Sequence, residues 1–293
     1  MLVQLLGTGN PYPSLRRMSS GYLVKAGTDI LLFDHGPGAY HRLLEAGFTP
    51  SDPTHLLFTH LHYDHCLDYA RLVLTRWDQA AGKVPELKVY GPAPLAAMTA
   101  SLFSKDGGAF APDLRARTEN LVSLDIYEER GGKLPRPWPA PEVHEIKSTE
   151  VIQGGAWTVT TTSAIHTQPQ LQCYAYRLDC EDGSFVYSGD SGPSRRIMEL
   201  AKDCDVLVHM CAYESGKELS EAHAKTCMGH MELARLAADA NVKTLVLTHF
   251  NAKIDHPGIR ERLITEMARD FHGTIIWGED LMKIPMIPKK RGS

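Results

Sequence analysis

The sequence has almost no charge bias. Its 31 Lys and Arg stand against 35 Asp and Glu, a formal charge of −4 over 293 residues. That balance lacks the strongly basic footprint of a dedicated nucleic-acid binder, although a local basic patch fits within it. No apolar run approaches 18 residues, which excludes a transmembrane helix and predicts no membrane partner. Met1 to Leu6 is apolar but has no basic leader and runs straight into Gly7-Thr8-Gly9-Asn10-Pro11, so no secretory signal is expected and the predicted location is cytoplasmic. The six cysteines (Cys66, Cys173, Cys180, Cys204, Cys211 and Cys227) form no CxxC pair, and their scatter predicts free thiols in a reducing compartment. Short-period repeats, low-complexity tracts and an obvious linker are also missing. What is left is an ordinary globular composition, 43% apolar and 23% charged, in a chain long enough to bury one large core. Residues 1–293 read as one domain.

The apolar pattern predicts strands at Leu2–Leu6, Gly21–Ala26, Ile30–Phe33 and His55–Thr59, with a short helix over 38–47 between the third and fourth. Leu67, Ala70, Leu74, Trp77 and Ala81 recur at three- and four-residue steps and predict a helix that Gly82 can end. A strand–helix unit covers Leu87–Phe103. Residues 104–142 are less regular, with Trp138 among prolines 135, 137, 139 and 141. They read as a packed surface excursion or a rim over a site. The second half predicts strands at 156–165, 171–179, 184–188, 205–209, 244–248 and 274–277, and helices at 194–202, 228–240 and 257–270. Strands, strand–helix units, strands and strand–helix units in that order suggest two sheets with helices outside.

The strongest chemical signal is Thr59-His60-Leu61-His62-Tyr63-Asp64-His65, three histidines and an aspartate directly after an apolar strand. Imidazole nitrogens and carboxylate oxygens are ordinary ligands for zinc, iron or manganese. A loop leaving a strand can fold such residues around adjacent ions, where a continuous helix would turn some of them apart. Three distant residues also follow predicted strands: His166, Asp190 in Ser188-Gly189-Asp190-Ser191-Gly192, and His249. Together these groups supply two metal sites and a carboxylate able to bridge them. Two ions a few Å apart can bind a substrate oxygen, lower the pKa of water and stabilise transition-state charge.

The HxHxDH motif and these later positions resemble the metallo-β-lactamase superfamily, more narrowly the branch of metal-dependent tRNA 3′-end endonucleases and small phosphodiesterases. Leu5-Leu6-Gly7-Thr8-Gly9, Pro13 and Ile30-Leu31-Leu32-Phe33-Asp34 extend the resemblance over nearly the whole chain. It implies an α+β fold, an αββα four-layer sandwich of two mixed sheets flanked by helices. It also implies two divalent ions, with Zn2+ favoured and Mn2+ or Fe2+ compatible. His60, His62 and His166 would hold one ion and Asp64, His65 and His249 the other. Asp190 would bridge them, and a hydroxide between the ions would be the nucleophile, so that Asp64 and Asp190 act in catalysis. Asp34 would orient the ligands, and His35 has no place in the pattern and suits local hydrogen bonding.

The sequence departs from that branch in four places. Tyr63 stands where a glycine is usual, and Ala175 stands where a glycine precedes the aromatic–Arg pair. Cys227 falls on the position of a leaving-group histidine, counting back from His249, with His223 one helical turn before it and His230 nearby. His223 is therefore the candidate for leaving-group assistance. The long tRNA-gripping arm between the ligands corresponding to His166 and Asp190 is absent, since 23 residues separate them here. These departures predict a two-metal hydrolase acting on a small phosphodiester or related ester. Carboxylic-ester or lactone hydrolysis, tRNA 3′-end processing and non-enzymatic metal binding are the alternatives. The expected partners are a small-molecule ester, RNA in second place, and a second copy in a homodimer.

Overall fold

The computed structural model describes residues 1–286. Its first half runs β1 (Leu2–Gly7), β2 (Gly21–Ala26), β3 (Asp29–His35), α1 (Ala39–Glu45), β4 (His55–Leu57), α2 (Tyr63–Cys66), α3 (Tyr69–Ala80), β5 (Lys88–Gly91), α4 (Leu95–Phe103), α5 (Ala111–Glu119), α6 (Leu121–Glu129) and β6 (Glu142–Glu145). The second half runs β7 (Val151–Gln153), β8 (Trp157–Ser163), β9 (Tyr174–Cys180), β10 (Gly183–Tyr187), α7 (Arg195–Leu200), β11 (Val206–Met210), α8 (Glu221–Thr226), α9 (His230–Asp239), β12 (Thr244–Thr248), α10 (Ile259–Met267), β13 (Thr274–Trp277) and β14 (Lys283–Ile284).

The strands build two seven-stranded sheets, ordered β14-β1-β2-β3-β4-β5-β6 and β13-β12-β11-β10-β9-β8-β7. In each, an antiparallel run passes into parallel strands connected by helices. Such parallel strands are covered on both faces and therefore read as unbroken apolar runs. Thr244-Leu245-Val246-Leu247-Thr248 is one, buried at every position.

Three apolar clusters separate the layers. One lies between the sheets and includes Phe33, Tyr176, Phe185 and Val246. A second packs α7, α9 and α10 on the outside of the second sheet through Ile197's neighbour Ala201, Leu233, Ala237 and Leu263. The third packs α1, α3 and α4 on the first sheet through Leu43, Leu72 and Leu95. The αββα sandwich is thus the architecture of the chain. No helix among the described residues is long and apolar enough to cross a membrane.

Residues 104–142 are more regular than expected, because α5 and α6 occupy them. Across the two helices only Ala111, Leu114 and Tyr127 are buried, while Leu121, Val122 and Ile126 of α6 are exposed, so no helical stripe marked them. The proline-rich end is fixed to α3 and α4. Trp77 Nε1 donates to Pro137 O at 2.8 Å and Trp138 Nε1 to Phe103 O at 2.6 Å. Arg136 lies over the Trp77 ring at 3.8 Å and bonds Asp78 at 2.7 Å.

Candidate metal centre

β4 ends at Leu57; Phe58 N still donates to Tyr90 O at 2.8 Å and Thr59 O accepts from Tyr174 N at 2.9 Å, and His60 and His62 follow before the short helix α2. Asp64 and His65 sit in the first turn of that helix, both buried. His166 follows β8, Asp190 follows β10 and His249 follows β12. All seven converge at the same edge of the two sheets. His60, His62, His166 and Asp190 form one group and Asp64, His65 and His249 another, with ligand atoms in each group within 4.8 Å of one another.

Asp190 joins the groups. Its Oδ2 lies 3.6 Å from His166 Nε2, 3.5 Å from His65 Nε2 and 3.2 Å from His249 Nε2. Asp64 Oδ2 lies 3.4 Å from His65 Nε2 and 3.3 Å from His249 Nε2. His65 Nε2 and Asp190 Oδ1 are buried without a hydrogen-bond partner among the described residues. Buried polar atoms are almost always satisfied, and two such atoms aimed at one cluster fit cation ligands. The donor set, five imidazoles and two carboxylates, suits two divalent ions. The chain therefore carries a two-metal site capable of hydrolase chemistry.

The electrostatics point the same way. Burial alone would raise the Asp190 pKa, but the His249 and His65 charges overcome it and hold that carboxyl far below its usual range. Burial opposes protonation of His65, yet the neighbouring Asp190 and Asp34 hold its pKa well above normal. His60 is driven the other way, by burial and then by the positive field of His65. A pocket whose two carboxylates stay charged attracts cations.

Supporting bonds fix the ligand rings. Asp34 is held at φ 55°, where an L-residue is uncommon. Its Oδ1 accepts from Thr59 N at 2.7 Å, and its Oδ2 accepts from Thr59 Oγ1 at 2.8 Å, Tyr187 OH at 2.8 Å and His65 Nδ1 at 2.7 Å. A donating Nδ1 leaves the Nε2 lone pair of His65 for a metal. His166 Nδ1 donates to Thr226 O at 3.1 Å with the same result. The orienting place read for Asp34 is where the side chain stands. His35 differs from expectation: it is fully buried, neither ring nitrogen finds a hydrogen bond among the described residues, and burial lowers its pKa to about 3.

A support that sequence reading missed surrounds His249, itself at φ 56°. Its N–H donates to Thr8 O at 2.9 Å. The next residue, Phe250, stacks on Trp277 at 4.3 Å with rings 3° from parallel, and the Arg17 guanidinium covers Phe250 at 4.6 Å. Asp255 closes the loop, accepting from Arg17 Nε at 2.6 Å, Arg17 Nη2 at 2.9 Å and Trp277 Nε1 at 3.0 Å. Arg17 in the glycine-rich loop after Leu6 was the available signal, but its partners lie about 240 residues away in sequence.

His223 is outside both ligand groups. It lies in α8, its N–H donates to the Ser220 side chain, its Nδ1 accepts from Leu219 N at 3.4 Å, and its ring lies 4.8 Å from that of Tyr213. His230 spends both nitrogens elsewhere, on Glu266 at 2.9 Å and Ser215 N at 3.0 Å. Burial pushes the Cys227 thiol up to about 11. Tyr63 is exposed at the rim and donates to Pro11 O at 3.2 Å. Ala175 is buried within β9.

Residues 23–250 match the model of the β-lactamase superfamily domain. A Ribonuclease Z from Mycobacterium sp. (strain KMS) is 32% identical over 296 residues, covering 98% of this chain and 96% of that protein. The metallo-β-lactamase fold protein YhfI from Bacillus subtilis superposes with a TM-score of 0.70 at 21% identity, over 97% of this chain and 98% of that one. Human tRNase Z, short form, superposes with a TM-score of 0.69 at 21% identity, over 98% and 100%. Other mycobacterial relatives of similar length are Ribonuclease Z as well. This overturns the expected substrate order, in which a small ester stood ahead of RNA. That order rested on whole-chain charge and the missing arm. Relatives that share the chain almost end to end are ribonucleases, and overall charge says little about a local contact surface.

Proposed function

The chain belongs to the metallo-β-lactamase superfamily, and within it we propose that this protein is a two-metal endoribonuclease that removes 3′ extensions from precursor tRNA. The observation that carries this reading is the end-to-end likeness to Ribonuclease Z in a chain that keeps both ligand clusters. His60, His62 and His166 would hold one ion, Asp64, His65 and His249 the other, and Asp190 would contact both. The imidazole-rich donor set favours Zn2+. Bound ions supply Lewis acidity toward the phosphodiester and lower the pKa of water.

The protein's own groups do the rest. Asp34 and the Thr226 carbonyl keep His65 and His166 in the ligating tautomer. The Arg17–Phe250–Trp277 stack keeps the His249 backbone in its left-handed turn. The leaving ribose oxygen needs a proton, and a thiol raised to about 11 is a poor source. His223 lies one turn before Thr226, whose carbonyl is bonded to His166, and is the group we assign to give that proton.

The test is a precursor tRNA with a 3′ trailer, incubated with the protein and either Zn2+ or Mn2+. We expect one endonucleolytic cut, lost in His62→Ala and Asp190→Ala together with bound metal. Intact precursor with both metals, under conditions where the protein hydrolyses bis(4-nitrophenyl) phosphate, would refute the tRNA reading.

A further inference from the structure

The parallel strands β10, β11 and β12 lie side by side, and the outer two run into Asp190 and His249. β11, between them, runs into no ligand. The chain after it forms one wall of a cleft of about 280 Å³, which α8, the segment directly after His249 and the start of α10 complete. Crevices at the carboxyl ends of parallel strands are habitual ligand sites.

The lining is divided by chemistry. Tyr213 and Ile254 are buried and form an apolar floor, while Leu219 stands 80% exposed at the mouth. Of the cations here, Arg262 and Lys217 are both spent on Glu214, at 2.8 and 2.9 Å. Lys253 is exposed and makes no ion pair among the described residues. Asn251 accepts the Lys253 N–H on Oδ1 at 3.0 Å, which leaves its amide NH2 as the end free to donate. His223 lies on the wall that leads back through Thr226 to the ligand His166.

An apolar floor, an amide donor and an uncommitted ammonium beside a phosphodiester-cleaving centre suit one nucleotide, with base, sugar and phosphate each given a partner. We propose that this cleft is a mononucleotide subsite that receives the nucleoside carrying the leaving oxygen. Its base lies between Ile254 of the floor and Leu219 at the mouth, and its other phosphate meets Lys253. The placement rests on the RNA-cleaving reading above and explains why the proton donor lines the cleft. As the water oxygen bonds to phosphorus, the bond from phosphorus to the ribose oxygen breaks. The electron pair stays on that oxygen, which takes the proton from His223, and the attacking water supplies the proton that restores His223.

The experiment compares cleavage of two precursor RNAs, one intact and one abasic at the leaving nucleoside, with equal metal content verified in every protein. Loss of the base and its apolar contacts is expected to lower kcat/KM about ten-fold or more in the parent. Leu219→Glu should show a similar loss on the intact RNA and little further loss on the abasic one. Equal kcat/KM for both RNAs in the parent overturns the subsite and leaves the cleavage reading standing. If the parent cuts neither RNA, calorimetric titration with adenosine monophosphate separates the two ideas. Binding weakened at least ten-fold by Lys253→Glu supports the subsite while the cleavage reading fails, and no binding, or binding unaffected by Lys253→Glu, overturns the subsite as well.

Discussion

Replacing Asp34 by Asn changes one atom pair at the back of the metal centre. The asparagine carbonyl can keep the bond from Thr59 N. Its NH2 then faces three former donors: Thr59 Oγ1, Tyr187 OH and His65 Nδ1. The two hydroxyls can rotate and accept. The imidazole cannot do so without giving up its proton at Nδ1 and carrying it on Nε2, which blocks the nitrogen that faces Asp64 and Asp190. Loss of such a supporting partner typically weakens metal binding 10- to 100-fold, about 1.4–2.7 kcal/mol. The loss should fall on the ion of Asp64, His65 and His249 and spare that of His60, His62 and His166. Competition against a chromophoric chelator resolves two affinities, and only one of the two should shift. Tyr187→Phe, which keeps the His65 bond, should change neither by more than a few-fold. Equal affinities for parent and Asp34→Asn at both sites would refute the reasoning.

Arg17→Lys keeps a positive charge but loses the fork that spans Asp255 and the flat group that covers Phe250, and about ten-fold weaker binding at the His249 site, read by the same competition, is expected. His223→Ala should lower kcat on a precursor tRNA by roughly 10²-fold or more and leave a nitrophenyl phosphodiester much less affected, since that leaving group needs no proton. Equal loss on both substrates would remove His223 from the acid role. His209 is fully buried in β11, and burial lowers its pKa to about 4. The unfolded chain therefore binds a proton first as pH falls, and the stability held above about 6.5 is lost toward 4, at up to about 1.4 kcal/mol per pH unit. His209→Leu should flatten the fall in urea midpoint between pH 6.5 and 4.5 relative to the parent, and parallel curves would refute it.

Much of this was legible in the sequence, for identifiable reasons. β12 and β13 were read with their observed bounds because each is a short apolar run between polar residues, β12 buried at every position and β13, at the sheet edge, only at Trp277. The helix predicted from Leu67 to Ala81 begins in the structure only at Tyr69, since α2 takes the turn before it. β6 and α8 were not predicted: Glu142-Val143-His144-Glu145 is mostly exposed and α8 buries no residue, so neither carries an apolar period. The seven residues of the two clusters stood out because their side-chain chemistry is rare at strand ends. The Arg17 stack did not, because an arginine, a phenylalanine, an aspartate and a tryptophan are ordinary residues until the fold brings them together. The substrate order was misjudged for a related reason: a missing arm and a net charge are visible in a sequence, whereas the local surface that meets a substrate appears only in the folded chain.

The division of the ligands between two sheets also sets an order of events as the chain is made. His60, His62, Asp64 and His65 leave the ribosome early, but Asp64 and His249 are 185 residues apart. A nascent chain that has not reached residue 249 offers cations only part of the two-metal site. The strand that borders β1 is later still, since β14 pairs Ile284 with Val3 and joins the two ends of the described chain. Tight occupancy by both ions thus becomes a report that synthesis has passed residue 249 and that the two halves have docked. A truncated or half-folded product carries the conspicuous histidine motif yet lacks the assembled two-metal centre.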